Sequence, residues 1–195
     1  MRTMLKIVLI RPGTTEYDQQ GRILGTLDVP LADAGNAEVD VAIDQLRGQP
    51  IQALYTSPCE SARQTAEKIS GSLNLKCKPS DQLKNVDHGL WQGMLVEEVK
   101  RKQPKVYRQW MEHPESVCPP EGEMLDTARH RVEAFLSKLF KKHKQGTLGI
   151  VVPEPLAGLI ESYLRRSELP ASWNNVAGGG SWQIIEIEQP GLINV

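Results

Sequence analysis

Arg11 directly follows the apolar run Leu5–Ile10, and it opens the segment Arg11-Pro12-Gly13-Thr14-Thr15-Glu16-Tyr17-Asp18. A loop beyond the carboxyl end of a buried strand is where open parallel sheets bind their ligands. A guanidinium there suits an anion, and Arg22, in Gly21-Arg22-Ile23-Leu24-Gly25, is a second such group. The loop has neither the G-x-G-x-x-G dinucleotide pattern nor the G-K-[ST] phosphate loop. Gly178-Gly179-Gly180 precedes an alternating segment and reads as a turn rather than a phosphate cradle. Cys59, Cys77 and Cys118 form no C-x-x-C pair, so neither a zinc knuckle nor a disulfide framework is expected. Cys59, at a helix start, reads as a small buried hydrophobe before it reads as a nucleophile. The chain has 4 histidines, at positions 88, 113, 130 and 143.

The elements that must position these groups alternate along the chain. Leu5–Ile10 is a nearly continuous Leu and β-branched run, as expected of a strand buried on both faces. Ala37, Val41, Ala42 and Leu46 recur at helical spacing within 34–46. Residues 51–56 read as a strand, 57–72 as a helix and 75–78 as a short strand. The longest helical pattern spans 124–144, with Leu125, Ala128, Val132, Phe135, Leu136, Leu139 and Phe140 on one face. Its cationic end at Lys141, Lys142, His143 and Lys144 precedes Gly146 and suits the helix dipole. A buried strand at 148–152, a helix at 156–166 and an edge-like alternating strand at 181–188 complete the series. Strands separated by helices predict a mostly parallel sheet covered on both faces. The Pro- and Glu-rich stretch 81–123 reads as a lobe inserted into one domain spanning 1–195, with Trp91 and Trp110 lining the lobe.

These segments resemble, in order, the motifs of the histidine phosphatase superfamily, which includes the cofactor-dependent phosphoglycerate mutases. Leu9-Ile10-Arg11-Pro12-Gly13-Thr14-Thr15 is similar to that family's L-I-R-H-G-E-T. Gly21-Arg22, Gly25, Asp28, Pro30-Leu31 and Gly35 follow its G-R-x-x-G-x-x-D-x-P-L-T-x-x-G. The helix start Ser57-Pro58-Cys59-Glu60-Ser61-Ala62-Arg63-Gln64-Thr65-Ala66 resembles S-P-L-x-R-A-x-Q-T-A. Leu83-Lys84-Asn85-Val86-Asp87-His88-Gly89-Leu90-Trp91-Gln92-Gly93 resembles L-x-E-x-D-F-G-x-W-E-G. Pro120-Glu121-Gly122-Glu123 is similar to P-G-G-E-S, and Val151-Val152-Pro153-Glu154 stands where the family has V-V-S-H-G. The resemblance implies a phosphoglycerate mutase-like fold, a three-layer α/β/α sandwich with a mostly parallel central sheet.

It also implies a phosphorylated-histidine mechanism, and here the residues depart from the pattern. The family's active-site positions fall on Arg11, Pro12, Ser61, Asn85 and Glu154. Of these only Arg11 keeps the family residue, and no histidine falls on a motif histidine position. Pro12 has no nucleophile, Asn85 does not titrate and Ser61 carries no charge. Glu154 places a carboxylate where phosphate would lie, and a like-charge contact at about 4 Å costs several kcal/mol at modest dielectric. Arg63 is turned roughly 200° from Ser61 along a helix and is expected to face away. Thr14, where Glu is common, and Asp18, where some members have Asn, depart further.

The expectation from sequence is therefore a catalytically inactive member with no catalytic residues, serving as a ligand-binding, scaffolding or regulatory protein. Arg11, Gly13, Thr14, Arg22 and Glu154 are its candidate ligand contacts. Glu154 is expected to pair with Arg11, and between Pro153 and Pro155 it also suits a helix N-terminus, worth about 0.3–1 kcal/mol. The alternative is an enzyme of altered chemistry, using carboxylates such as Glu154 and Asp87 on a ligand other than a phosphomonoester, or a residual phosphatase. Glu16 is a further candidate acid.

Composition narrows the partners. Lys plus Arg is 23 against 24 Asp plus Glu, and aromatics are 5%, which argues against nucleic acid and against a polybasic membrane anchor. No stretch approaches the roughly 18 apolar residues of a bilayer span, and Leu5–Ile10 is too short for a signal core. A cytoplasmic protein is expected, with no cofactor or metal. Its partner would be a small anionic or neutral ligand or another protein, with a homodimer left open.

Overall fold

The computed structural model describes residues 4–169 and 178–187. Its strands are β1 (Leu5–Ile10), β2 (Ile51–Thr56), β3 (Cys77–Pro79), β4 (Gly146–Val151) and β5 (Trp182–Ile187). The helices are α1 (Glu16–Gln19), α2 (Asp33–Leu46), α3 (Glu60–Leu73), α4 (Val96–Lys102), α5 (Pro104–Glu112), α6 (Leu125–Lys142) and α7 (Leu156–Arg165). The sheet order is β3-β2-β4-β1-β5. β1 pairs parallel with β4, β4 with β2 and β2 with β3, while β5 runs antiparallel along the outer side of β1. The fold is thus the α/β arrangement expected, with a mostly parallel sheet.

Strand alternation divides β1 between two cores. Leu5, Ile7 and Leu9 pack into a cluster with Val132, Phe135 and Leu136 of α6 and Ile160 of α7. Val8 and Ile10 face the other way, onto Val39 and Ile43 of α2 and Ala62 and Ala66 of α3. All five of these β1 side chains are fully buried. Each contributes about 1.5–3 kcal/mol of transfer free energy, so a polar residue on either face of β1 would be expelled. All seven apolar positions read on the long helix are buried in α6.

Several boundaries differ from the sequence expectation. α3 starts at Glu60, after Cys59 as N-cap, because Ser57-Pro58 still belongs to the loop leaving β2. β4 begins at Gly146, whose φ of +99° admits the turn out of α6. α1, α4 and α5 were not expected. α1 is fixed locally, since the Thr15 hydroxyl accepts from the Asp18 amide and Asp18 Oδ2 accepts from the Thr15 amide. Glu188, the last residue of the expected edge strand, lies outside the described residues.

The carboxyl ends of β1, β2 and β4 lie at one edge of the sheet, so the loops that follow them converge there. One close approach sets the first loop. A Cβ on Gly13 would collide with the Gly35 carbonyl, and one on Gly35 with the backbone of Thr14. Gly35→Ala is expected to lower stability by about 1–3 kcal/mol, through forced separation of loop and helix. A shift in the urea midpoint with unchanged slope would register it; a change below about 0.5 kcal/mol would show that the loop yields freely.

Candidate functional site

The converging loops enclose a pocket whose wall includes Arg11, Pro12, Gly13, Thr14, Ser61 and Glu154. At its centre Arg11 Nε donates to Glu154 Oε1 at 2.6 Å, and both side chains are 13% exposed. Glu154 Oε2 accepts from the Gly158 amide in the first turn of α7 at 2.9 Å. The expected ion pair and the expected helix-terminal role are therefore realised together. Glu161 approaches Arg11 Nη2 at 3.6 Å. Burial pushes the Glu154 carboxyl above the usual carboxylate range, against the opposing pull of the Arg11 charge and hydrogen bond.

The amides of the first loop are already committed. Gly13 N donates to Thr65 Oγ1 at 3.1 Å, and Thr14 N donates to Glu38 Oε2 at 2.8 Å. The Thr14 hydroxyl donates to the other Glu38 oxygen at 2.9 Å. No anion nest is left on this turn, so charge recognition falls to side chains. Arg22 also lines the pocket, steadied by donation from Nη1 to the Gly93 carbonyl at 2.6 Å and from Nε to Gln20 Oε1 at 2.7 Å.

Asn85 does not line the wall. It is fully buried, and Nδ2 donates at 2.9 Å to the carbonyls of Gly25 and Glu154, which ties the pocket's two sides together. Ser61 is buried, with its hydroxyl 3.9 Å from Cys59 Sγ. Arg63 points away as expected and is engaged by Glu60 and Glu67. Asp87 is outside the wall, with Oδ1 accepting from the Gly89 amide at 2.8 Å, and Glu16 is likewise not part of it.

Sequence reasoning missed three groups. Glu161 carried one readable signal, since it lies on the helix expected at 156–166, directly behind Glu154. Glu38 carried none, because its contact with Thr14 is made only by tertiary packing. His88 lines the pocket although it sits on no motif histidine position.

The fold and the site define a member of the histidine phosphatase superfamily (branch 1), to which this chain belongs: the family model matches residues 7–193. The chain is 31% identical over 186 residues to Phosphoserine phosphatase 1 of Hydrogenobacter thermophilus, covering 95% of this chain and 88% of that protein. Among solved structures, the mycobacterial glucosyl-3-phosphoglycerate phosphatase superposes with a TM-score of 0.83 at 21% identity, covering 94% of this chain and 90% of the other. The alpha-ribazole phosphatase of Shigella flexneri does so with a TM-score of 0.80 at 21% identity, covering 92% and 89%. At that identity the two structures carry the fold alone.

The phosphatase relative at 31% identity corrects the expectation of an inactive, non-enzymatic protein. Two steps of that expectation were physically too strong. Loss of an imidazole nucleophile removes the covalent route but not direct attack by water, and sites stripped of a nucleophile keep catalysis from their remaining groups. The repulsion assigned to Glu154 assumed a bare carboxylate, whereas Arg11 neutralises it at 2.6 Å. No described helix is long and apolar enough to cross a membrane.

Proposed function

We propose that this protein is a hydrolase of small phosphate esters that works by carboxylate-assisted attack of water in the strand-end pocket. The observation that carries the reading is the Glu154 carboxylate, buried in the pocket wall and held by Arg11 on one oxygen and the α7 amide on the other. The name of the 31% identical relative supports phosphate esters as the substrate class.

In this reading the water oxygen bonds to phosphorus as the bond from phosphorus to the alcohol oxygen breaks. Glu154 accepts the proton the water gives up, the departing alcohol oxygen takes a proton from solvent, and Glu154 returns its own to solvent. Arg11 orients the base, and Arg22 faces the phosphoryl oxygens. A carboxylate whose pKa is raised by burial is a stronger base than one in water, as general-base catalysis requires.

The charge of the wall favours a second reading of the substrate. Arg11 is engaged by both Glu154 and Glu161, so the pocket is less cationic than a dianion would select. A diester or a carboxylic ester, with less charge at the reacting centre, meets less repulsion there. Rates with para-nitrophenyl phosphate, bis-para-nitrophenyl phosphate and para-nitrophenyl acetate rank the two readings. The phosphate ester is expected to turn over, and Arg22→Ala to raise its KM about 10-fold or more, as loss of a charged hydrogen bond does. Turnover of none of the three would refute the proposal.

A further inference from the structure

We propose that Glu161 is a positioning residue, the standing counter-ion that holds the Arg11 guanidinium in place while Glu154 takes up a proton. The inference rests on the hydrolase reading above and gives the second carboxylate on Arg11 its part in that reaction.

Arg11 has one acidic partner inside the pocket and another outside it. Glu154 Oε1 accepts from Arg11 Nε at 2.6 Å and stands in the pocket wall. Glu161 Oε2 lies 3.6 Å from Arg11 Nη2 and is not part of that wall. The proposed reaction removes the inner charge at every turnover, when Glu154 accepts the proton from water. Arg11 is only 13% exposed, and a guanidinium so buried is costly to leave without a counter-charge. Glu161 supplies that charge at the moment Glu154 loses its own.

Its surroundings keep Glu161 ionised and in place. Oε1 accepts from Arg165 Nε at 2.9 Å, and Oε2 accepts from Gln183 Nε2 at 2.7 Å. Arg165 Nη2 donates in turn to Gln183 Oε1 at 3.1 Å, so α7 and β5 close around this carboxylate. The approach to β5 is tied to Arg11 as well, whose amide donates to the Ser181 carbonyl at 2.8 Å. Burial alone would raise the Glu161 pKa, but the hydrogen bonds from Gln183 and Arg165 outweigh it and hold the carboxyl below the usual range. Glu154 is shifted the other way, chiefly by burial, with Arg11 opposing the shift and Glu161 adding to it. Carboxylates whose surroundings push their pKa values apart divide the work, one titrating while the other stays charged. The remaining charged or titratable groups on the pocket wall are Arg22, Asp18 and His88. Asp18 is bonded to the Thr15 amide and hydroxyl, and burial keeps His88 neutral, with its pKa at about 4.

The test is Glu161→Gln, which keeps the shape and an oxygen for Arg165 but removes the charge. Glu154 then loses a negative neighbour, and Arg11 has only Glu154 left to balance it. Both changes favour the ionised Glu154. The acid limb of kcat against pH for para-nitrophenyl phosphate is therefore expected to move to lower pH. Plateau kcat is expected to fall about threefold to tenfold, as a weaker base gives, with KM within about twofold. Glu161→Asp keeps the charge and is expected to leave the limb near its wild-type position. Independently of turnover, the titration of carbon-labelled glutamate carboxyls reads the same shift, the Glu154 signal being the one lost in Glu154→Gln. In Glu161→Gln that signal is expected to titrate at lower pH. A signal that stays put or moves to higher pH overturns the inference however far kcat falls, since a merely structural role lowers kcat alone. A signal that moves without turnover, or without the limb, refutes the hydrolase reading and leaves the counter-ion standing.

Discussion

Glu154→Gln is expected to lower kcat toward para-nitrophenyl phosphate by about 10²–10³-fold, the usual scale for loss of a positioned general base. The amide keeps the shape of the carboxyl but cannot accept the proton that water must shed. The variant should also lose the acid limb of the pH–rate profile. Because burial raises the Glu154 pKa, that limb in the wild type lies above the ordinary carboxylate range, and rate rises with pH through it. Stability moves too, since the amide no longer balances the Arg11 charge. Removing one partner of a buried pair costs about 3–5 kcal/mol. Here Glu161 still stands 3.6 Å from Arg11 and burial already opposes the ionised Glu154, so the loss is expected to be smaller, about 1 kcal/mol. Glu154→Asp separates the two effects: the charge stays near Arg11 and restores most of the stability, while the shorter side chain leaves the water out of reach and the rate low. Activity of Glu154→Gln within twofold of wild type would remove Glu154 from the chemistry.

How this site could be read in advance depended on whether each contact is local. The order of strands and helices was legible because each carries its own periodicity, as in β1, buried on both faces, and α6 with its apolar stripe. The pairing of Arg11 with Glu154 was legible across 143 residues only because two strand ends were known to meet at one sheet edge. The Glu38 contact with Thr14 was not, since it depends on the rotation of α2 about its own axis, which no pattern in the sequence reports. α4 and α5 were hidden for another reason. They are 7 and 9 residues long, below the length at which a stripe declares itself, and tertiary packing on Val99 and Trp110 holds them.

The activity was misjudged at a different step. Pro12, Asn85 and Ser61 were each weighed as a missing group rather than as part of a new surface. Asn85 shows the difference. It is not an idle relic of an acid, because its amide joins the main-chain carbonyls of Gly25 and Glu154 at 2.9 Å on each side and ties the two loops together. Substitution by an acidic side chain would replace these donors with an acceptor facing two carbonyls. The two positions are thus coupled, and a reading made one residue at a time misses it.

His88 supplies the largest expected effect on stability. Its pKa is held at about 4 by burial, only partly offset by nearby Asp87, against 6.5 for an ordinary imidazole. Between these values the unfolded chain binds a proton that the folded chain refuses. Folding stability is therefore full above about pH 6.5 and is lost progressively as pH falls toward 4, by about 3 kcal/mol in all. His88→Phe abolishes this contribution, so the stability difference between variant and wild type should shift in the variant's favour across that window and stay level above pH 7. His143, also lowered by burial, tilts the wild-type curve the same way, and the raised Glu154 carboxyl tilts it oppositely. Both are present in wild type and variant alike, so the difference isolates His88. Urea unfolding at pH 7.5, 6, 5 and 4.5 measures it, within the range where His88 alone separates the two proteins. Parallel curves across these pH values would mean that the ring accepts a proton in the folded state, and the neutral imidazole assigned to the pocket would then be wrong.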